Sequence, residues 1–143
     1  MAVKQLSVFI QNEPGKMTRA ASALSGANVD IRAMSIADTT DFGILRLIVD
    51  EPERARDALR AAGCTVSLSE VLAVEVDDRP GGLAKVIAAL SDSGVNIEYI
   101  YAFVARSSDK AYVILKPGDI AAAEESLSRA GIRLIDGSEI YGI

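Results

Sequence analysis

Displacing the sequence by 66 positions lays its first half on its second. Leu6, Val8, Pro14, Gly15, Ala23, Leu24, Ser25, Val29 and Ile31 then fall on Leu72, Val74, Pro80, Gly81, Ala89, Leu90, Ser91, Val95 and Ile97. Two extra residues in the middle of the second half change the displacement to 68. Asp41, Leu47, Ala55, Leu59, Ala62 and Gly63 then meet Asp109, Leu115, Ala123, Leu127, Ala130 and Gly131. Such a duplication constrains the chain more than any other feature, because whatever one half folds into the other half must also form. Two domains are expected, over residues 1–68 and 69–143.

Each half shows the same sequence of periods. "KQLSVFIQ" and "EVLAVEVD" alternate, with Leu6, Val8, Ile10 and Leu72, Val74, Val76 on one face, as half-buried strands require. Pro-Gly follows. Met17, Ala20, Ala21, Leu24 and Leu83, Val86, Ile87, Leu90 then recur at helical spacing and make one apolar stripe. The proline near each start suits the first helical turn, where a missing N–H is no loss. "VDIRAMSIA" and "VNIEYIYAFVA" read as second strands, and "FGILRLIV" and "KAYVILK" as third strands, joined as hairpins through Asp41 and through Ser107, Ser108 and Asp109. In the second of these strands Tyr99, Tyr101 and Phe103 are expected to share the face of Ile97, with Ile100 and Val104 opposite. Second helices run from about Pro52 to Ala62 and from about Asp119 to Ala130, and Gly63 and Gly131 stop them at C′. Short fourth strands near 65–68 and 133–135 close each half, and the tail from Gly137 to Ile143 carries no clear period.

The order β-α-β-β-α-β gives an α+β fold: two ferredoxin-like units, each an antiparallel sheet with its helices on one face. A unit of this size, with an uncovered sheet face, is marginal alone, so the two are expected to pack side by side and the chain to form a homodimer. The 15 basic and 20 acidic residues leave a net charge of −5, and the basic ones are scattered. That field repels nucleic acid and anionic membranes, so neither is an expected partner. No apolar run is long enough to span a membrane and no signal segment opens the chain, which suggests a cytoplasmic location. Histidine is absent and Cys64 is the only cysteine, which removes the common general base, thiolate metal clusters and intrachain disulfides. No metal, cofactor or catalytic residue is expected, and Cys64 reads as a small apolar core residue.

"DDRPGGLAKVIAALSDSGVNIEYI", followed by a hairpin and "AAAEESLSRAGIRL", resembles the ACT domain, a small-molecule regulatory module of amino-acid metabolism. "QNEPGKMTRAASALSGANVDIRAM" with "FGILRLIVDEPERARDALRAAGCTV" is similar to the same domain. The likeness covers nearly the whole chain and implies a tandem ACT protein without an attached enzyme. It further implies allosteric binding of a free amino acid between two domains, with an enzyme of amino-acid metabolism as the regulated partner.

Within one unit the first helix must start at one end and the second strand at the other. If units pack antiparallel through their second strands, the Pro-Gly loop of one faces the second-strand entrance of the other. One composite cleft would join Asn12, Glu13, Pro14, Gly15, Lys16 and Met17 to Val95, Asn96 and Ile97. Free N–H groups and the positive dipole end of the helix suit a carboxylate. Glycine allows close approach, Lys16 adds charge, Glu13 takes the ammonium, and Asn96 both donates and accepts. The second cleft would join Asp78, Arg79, Gly81, Gly82 and Leu83 to Val29, Asp30 and Ile31. Asp30 replaces the family's asparagine there and, with Asp77 and Asp78, favours ammonium over carboxylate.

Three other functions fit the same strand order. A ligand-independent interaction module would regulate a partner enzyme through its surface alone. An acylphosphatase-like enzyme needs an arginine in a phosphate-cradling loop, for which Arg79 is the nearest candidate. An RNA-binding unit needs base-stacking aromatics on its third strand, where Leu45 and Leu47 stand instead.

Overall fold

The computed structural model describes residues 2–38, 42–103 and 109–142. The chain forms two compact units. One comprises Lys4–Ser69 with Tyr141–Ile143, and the other Glu70–Ile140 with Met1–Val3.

In the first unit the elements are β1 (Val3–Gln11), α1 (Lys16–Gly26), β2 (Ile31–Asp38), β3 (Phe42–Val49), α2 (Pro52–Ala61) and the first residues of β4 (Thr65–Asp77). The strands lie in the order β2-β3-β1-β4. Register pairs Leu6 with Leu47 and Val8 with Leu45, so these four side chains point the same way. They join Ile10, Leu24, Val49, Ala55, Leu59 and Val66 in one buried core between the sheet and both helices. The expected alternation of the first strand is therefore the one that buries it.

The second unit repeats the plan with the rest of β4, α3 (Gly82–Asp92), β5 (Ile97–Ala102), β6 (Lys110–Pro117), α4 (Ile120–Arg129), β7 (Leu134–Ile135) and the first residues of α5 (Gly137–Gly142). Here the order is β5-β6-β4-β7, all antiparallel. Leu72, Val74, Val86, Leu90, Leu115 and Leu127 form the equivalent core. Both units are ferredoxin-like, as the periods require. Ser126 is a buried polar exception, and its hydroxyl is satisfied by the Ala89 carbonyl and the Ser93 hydroxyl, both at 2.8 Å, which ties α4 to α3. The expected fourth strand of the first unit does not stand alone: it continues into the first strand of the second as β4.

Two sequence readings of side-chain direction are corrected. A register shift between Ile97 and Tyr99 places two residues of β5 against one of β6, so strict alternation breaks. Ile97 and Ile100 both pack against the core, and Tyr99 and Tyr101 stack on each other instead, with centroids 6.4 Å apart. Phe103 meets Tyr112 edge-on at 5.9 Å. In β3, Leu45 and Leu47 face the helices and are buried, so the outward face is set by Phe42, Ile44 and Arg46, one residue away from the register assumed for the RNA comparison. The hairpin residues Asp41, Ser107 and Ser108, together with Val104, lie outside the described residues.

The tail that carried no period forms α5. Asp136 caps it, its carboxylate accepting from the Ser138 hydroxyl at 2.5 Å and the Glu139 N–H at 3.1 Å. These hydrogen bonds hold the Asp136 carboxyl below its ordinary range. Ile140 is fully buried. Tyr141 belongs with the first unit, where its hydroxyl accepts from the Lys4 N–H at 3.0 Å and its carbonyl accepts from Arg32 at 3.1 Å. Burial raises the Tyr141 phenol above its usual value.

Candidate functional site

Pro-Gly sits one step earlier than the first helical turn. α1 starts at Lys16 and α3 at Gly82, so Pro14 and Pro80 lie outside the helices and Gly15 and Gly81 are the N-cap residues. Gly15 has φ 87° and ψ −14°, and Gly81 φ 90° and ψ −12°. The Lys16 N–H donates to the Glu13 carbonyl at 3.3 Å, and the Gly82 N–H to the Arg79 carbonyl at 3.0 Å. Proline followed by a left-handed glycine, closed by that bond, is a type II turn. The tertiary amide therefore sets up the turn that launches the helix rather than its first residue. No side chain caps either helix, so amide donors at the start of both are left for something else.

Around these starts the two copies differ. In the first, Lys16 approaches Glu13 only to 4.0 Å, and Gln11 to Met17 line an open loop in which all but Lys16 are exposed. In the second, a Cβ added to Gly82 would come within 2.0 Å of the Asp77 carbonyl oxygen, so the loop closes onto the helix more tightly there. Asp77 pairs with Lys110 and, at 3.2 Å, with Arg79. The Lys110 hydrogen bond holds the Asp77 carboxyl below its usual range and raises the Lys110 ammonium. Arg79 is thus drawn back to a carboxylate rather than aimed into a phosphate cradle. The Asp78 N–H donates to the Asp109 carbonyl at 2.9 Å, which anchors this loop to the hairpin end of its unit.

The second-strand entrances lie at the other end of each unit. Asp30 accepts at its carbonyl from the Asp50 N–H at 3.1 Å, and Asn96 does the same with the Gly118 N–H at 2.9 Å. Each entrance is therefore fastened to the turn before the second helix. The α1 and α3 helices are 11 residues each, about 16 Å at 1.5 Å per residue, and separate loop from entrance. The Asp30 carboxylate accepts from Arg32 at 2.8 Å, which compensates the negative charge expected there. A hollow of about 500 Å³ lies beside Asp30, lined by Leu24, Asn28, Val29 and Ile31 among others. Asn96 is exposed and its side chain has no partner among the described residues.

A feature absent from the sequence reading is a cavity of about 480 Å³ in the first unit, beside the α1 start, lined by Phe9, Gln11, Lys16, Arg19, Phe42, Cys64 and Thr65 among others. Cys64 is partly buried, packs against the core and so keeps its apolar role, with one side on this cavity. The signal that would have found it lies in the positions where the repeat does not match, since Phe9 and Phe42 fall on Glu75 and Lys110. Among the described residues no group of three or more metal-ligating side chains occurs, and no helix is long and apolar enough to cross a membrane.

The model of an ACT domain pair matches residues 1–140. The chain belongs to the ACT domain family. This ACT pair is similar to protein BT0572 from Bacteroides thetaiotaomicron, at 35% identity over 100% of this chain and 98% of that one, with a TM-score of 0.94. It shares its fold with the regulatory subunits of aspartate kinase from Thermus thermophilus and Thermus flavus. The former is 21% identical, with a TM-score of 0.65, over 89% of this chain and 91% of that one. The latter is 20% identical, with a TM-score of 0.61, over 90% and 92%. No curated protein matches this ACT pair.

Proposed function

We propose that this ACT pair is a non-catalytic cytoplasmic sensor that binds a free amino acid and passes its occupancy to a partner enzyme of amino-acid metabolism. The observation that carries the reading is the pair of uncapped helix starts, each behind a type II Pro-Gly turn. A carboxylate placed there meets amide donors and the positive dipole end, worth about 0.3–1 kcal/mol and up to roughly 2 when partly buried. The rest of the ligand needs groups of another kind, and the exposed amide of Asn96 offers both a donor and an acceptor. An amino acid has about 3.6 Å of backbone reach and cannot bridge the length of a helix, so one ligand does not touch the loop and the entrance of the same unit. The proposed ligand contacts are Asn12–Met17 and Asp78–Leu83 at the loops and Val95–Ile97 and Val29–Ile31 at the entrances. Met34 and Ile36, 42% and 48% exposed on β2, the edge strand of its unit, favour a homodimer.

A ligand of roughly ten heavy atoms reaches micromolar to millimolar affinity well within the limit of about 1.5 kcal/mol per atom. A thermal-shift screen over the free amino acids tests the proposal. At 100 times its dissociation constant the right one adds about 2.7 kcal/mol of stability. Asn96→Ala is expected to erase the shift and leave the melting temperature of the unliganded protein unchanged. A panel in which no amino acid moves the transition would sink the reading.

A further inference from the structure

The cavity at the hairpin end of the first unit has an internal control in the second, where the same backbone positions surround a hollow of about 230 Å³. In the second copy charge fills the space. Arg133 donates to Glu75 at 2.8 Å and to Glu139 at 2.5 Å, and Lys110 pairs with Asp77. In the first copy the positions of Glu75, Lys110 and Arg133 hold Phe9, Phe42 and Thr65, and the cavity stays open at about 480 Å³. That volume lies inside the range of small-molecule sites, about 300–1,000 Å³. Openness is thus a property of this copy's side chains and not of the fold.

The lining is chemically one-sided. Phe9 and Phe42 are 56% and 50% exposed, which leaves aromatic surface in water that a bound apolar group would cover. Lys16 and Arg19 also line the cavity, and among the described residues no aspartate or glutamate does. Arg19 makes no ion pair among the described residues, and Lys16 has only Glu13 at 4.0 Å. Two cations from α1 and two aromatic residues from the strands line one cavity and, within a protein of net charge −5, suit an anion with a flat apolar body. They offer no carboxylate to an ammonium group. We infer that this cavity, lined by Phe9, Phe42, Lys16 and Arg19, is a second ligand site in the first unit that takes a small aromatic carboxylate lacking an amino group. It shares only Lys16 with the proposed amino-acid site and does not depend on that reading.

Cys64 lines the cavity and is the only thiol in the chain, so it reports occupancy by itself. The experiment measures the rate of its alkylation by iodoacetamide in the full chain, with 3-phenylpropanoate, L-phenylalanine, 2-phenylethylamine and acetate as probes. The first three share one skeleton and differ in charge. At ten times its dissociation constant 3-phenylpropanoate is expected to slow alkylation about tenfold, and the other three far less. Arg19→Gln and Phe42→Ala, both at surface positions, each raise its dissociation constant about tenfold, so that the same concentration slows alkylation only about twofold. Calorimetric titration of the same probes gives the affinities independently of thiol reactivity. No heat and no protection with 3-phenylpropanoate would overturn the assignment. Equal affinity for L-phenylalanine, or undiminished affinity in Arg19→Gln, would overturn it as well.

Discussion

The hairpin ends of the two ACT copies share one backbone plan and opposite chemistry. Around the first, aromatic rings and two cations leave a cavity of about 480 Å³, and around the second, ion pairs draw Arg133, Glu75, Glu139, Asp77 and Lys110 together over about 230 Å³. The cores beneath are nearly interchangeable, with Leu24, Leu47 and Leu59 answered by Leu90, Leu115 and Leu127. The lesson is that the buried cores repeat because packed positions must keep their shape, while the side chains around the hairpin ends are free to diverge. A duplicated fold can therefore present two surfaces of different chemistry.

The comparison can be broken first at the cores. Leu59→Ala and Leu127→Ala remove equivalent, fully buried side chains, so each is expected to cost about 2–5 kcal/mol in urea unfolding. Losses differing by more than that spread would show that the cores are not equivalent after all. The helix starts sharpen it next. Gly82→Ala drives a Cβ against the Asp77 carbonyl and should cost about 1–3 kcal/mol, whereas Lys16→Ala at the matching position of the first copy stays within about 0.5 kcal/mol. Equal effects on the unfolding midpoint would refute the tighter closure of the second loop.

The smallest effect is electrostatic. The Asp77 carboxyl is held below its ordinary value of 3.8, so its contribution is present above that pH and fades as the pH falls through the lower folded-state value. Asp77→Asn should lower stability near neutrality slightly and flatten the acid limb of a plot of midpoint against pH. Gln11 stands at the same place in the first copy and has nothing to titrate, so Gln11→Ala should leave that limb unaltered. Glu53, held down by its hydrogen bond with Lys4, adds an acid-sensitive contribution that neither variant touches.

Most of the fold was legible because two signals agree. The repeat says that there are two of something, and the switch between periods of 2 and 3.6 says what each contains. Gly63 and Gly131, at φ 85° and 74°, stop their helices where the pattern stops. What escaped was local. The bulge at Ile97–Tyr99 reverses which of its neighbours are buried, and no period can reveal a single inserted residue. Pro14 and Pro80 lie just ahead of their helices and not in the first turn, because proline fits both a helix's first turn and a type II corner, and only the φ of the following glycine decides. The tail was unreadable because α5 is a capped helix of 6 residues with one buried residue, Ile140, too short to show periodicity.

For the candidate site, the Pro-Gly loops and the strand entrances were visible as motifs, since their residue types are chemically demanding. The aromatic cavity was not, because Phe9 and Phe42 are far apart in the chain and each sits on a strand whose alternation explains it without a ligand. Only pairing β1 with β3, Gln11 opposite Phe42, brings the rings to one end of the sheet.

The contacts of Tyr141 with Lys4 and Arg32 bear on how the protein is made. Synthesis supplies the N-terminal copy's strands and helices early, yet two of its hydrogen bonds wait for a residue translated more than seventy positions after Ser69. A nascent first copy thus emerges without its last fastening, and its maturation is coupled to delivery of the other copy.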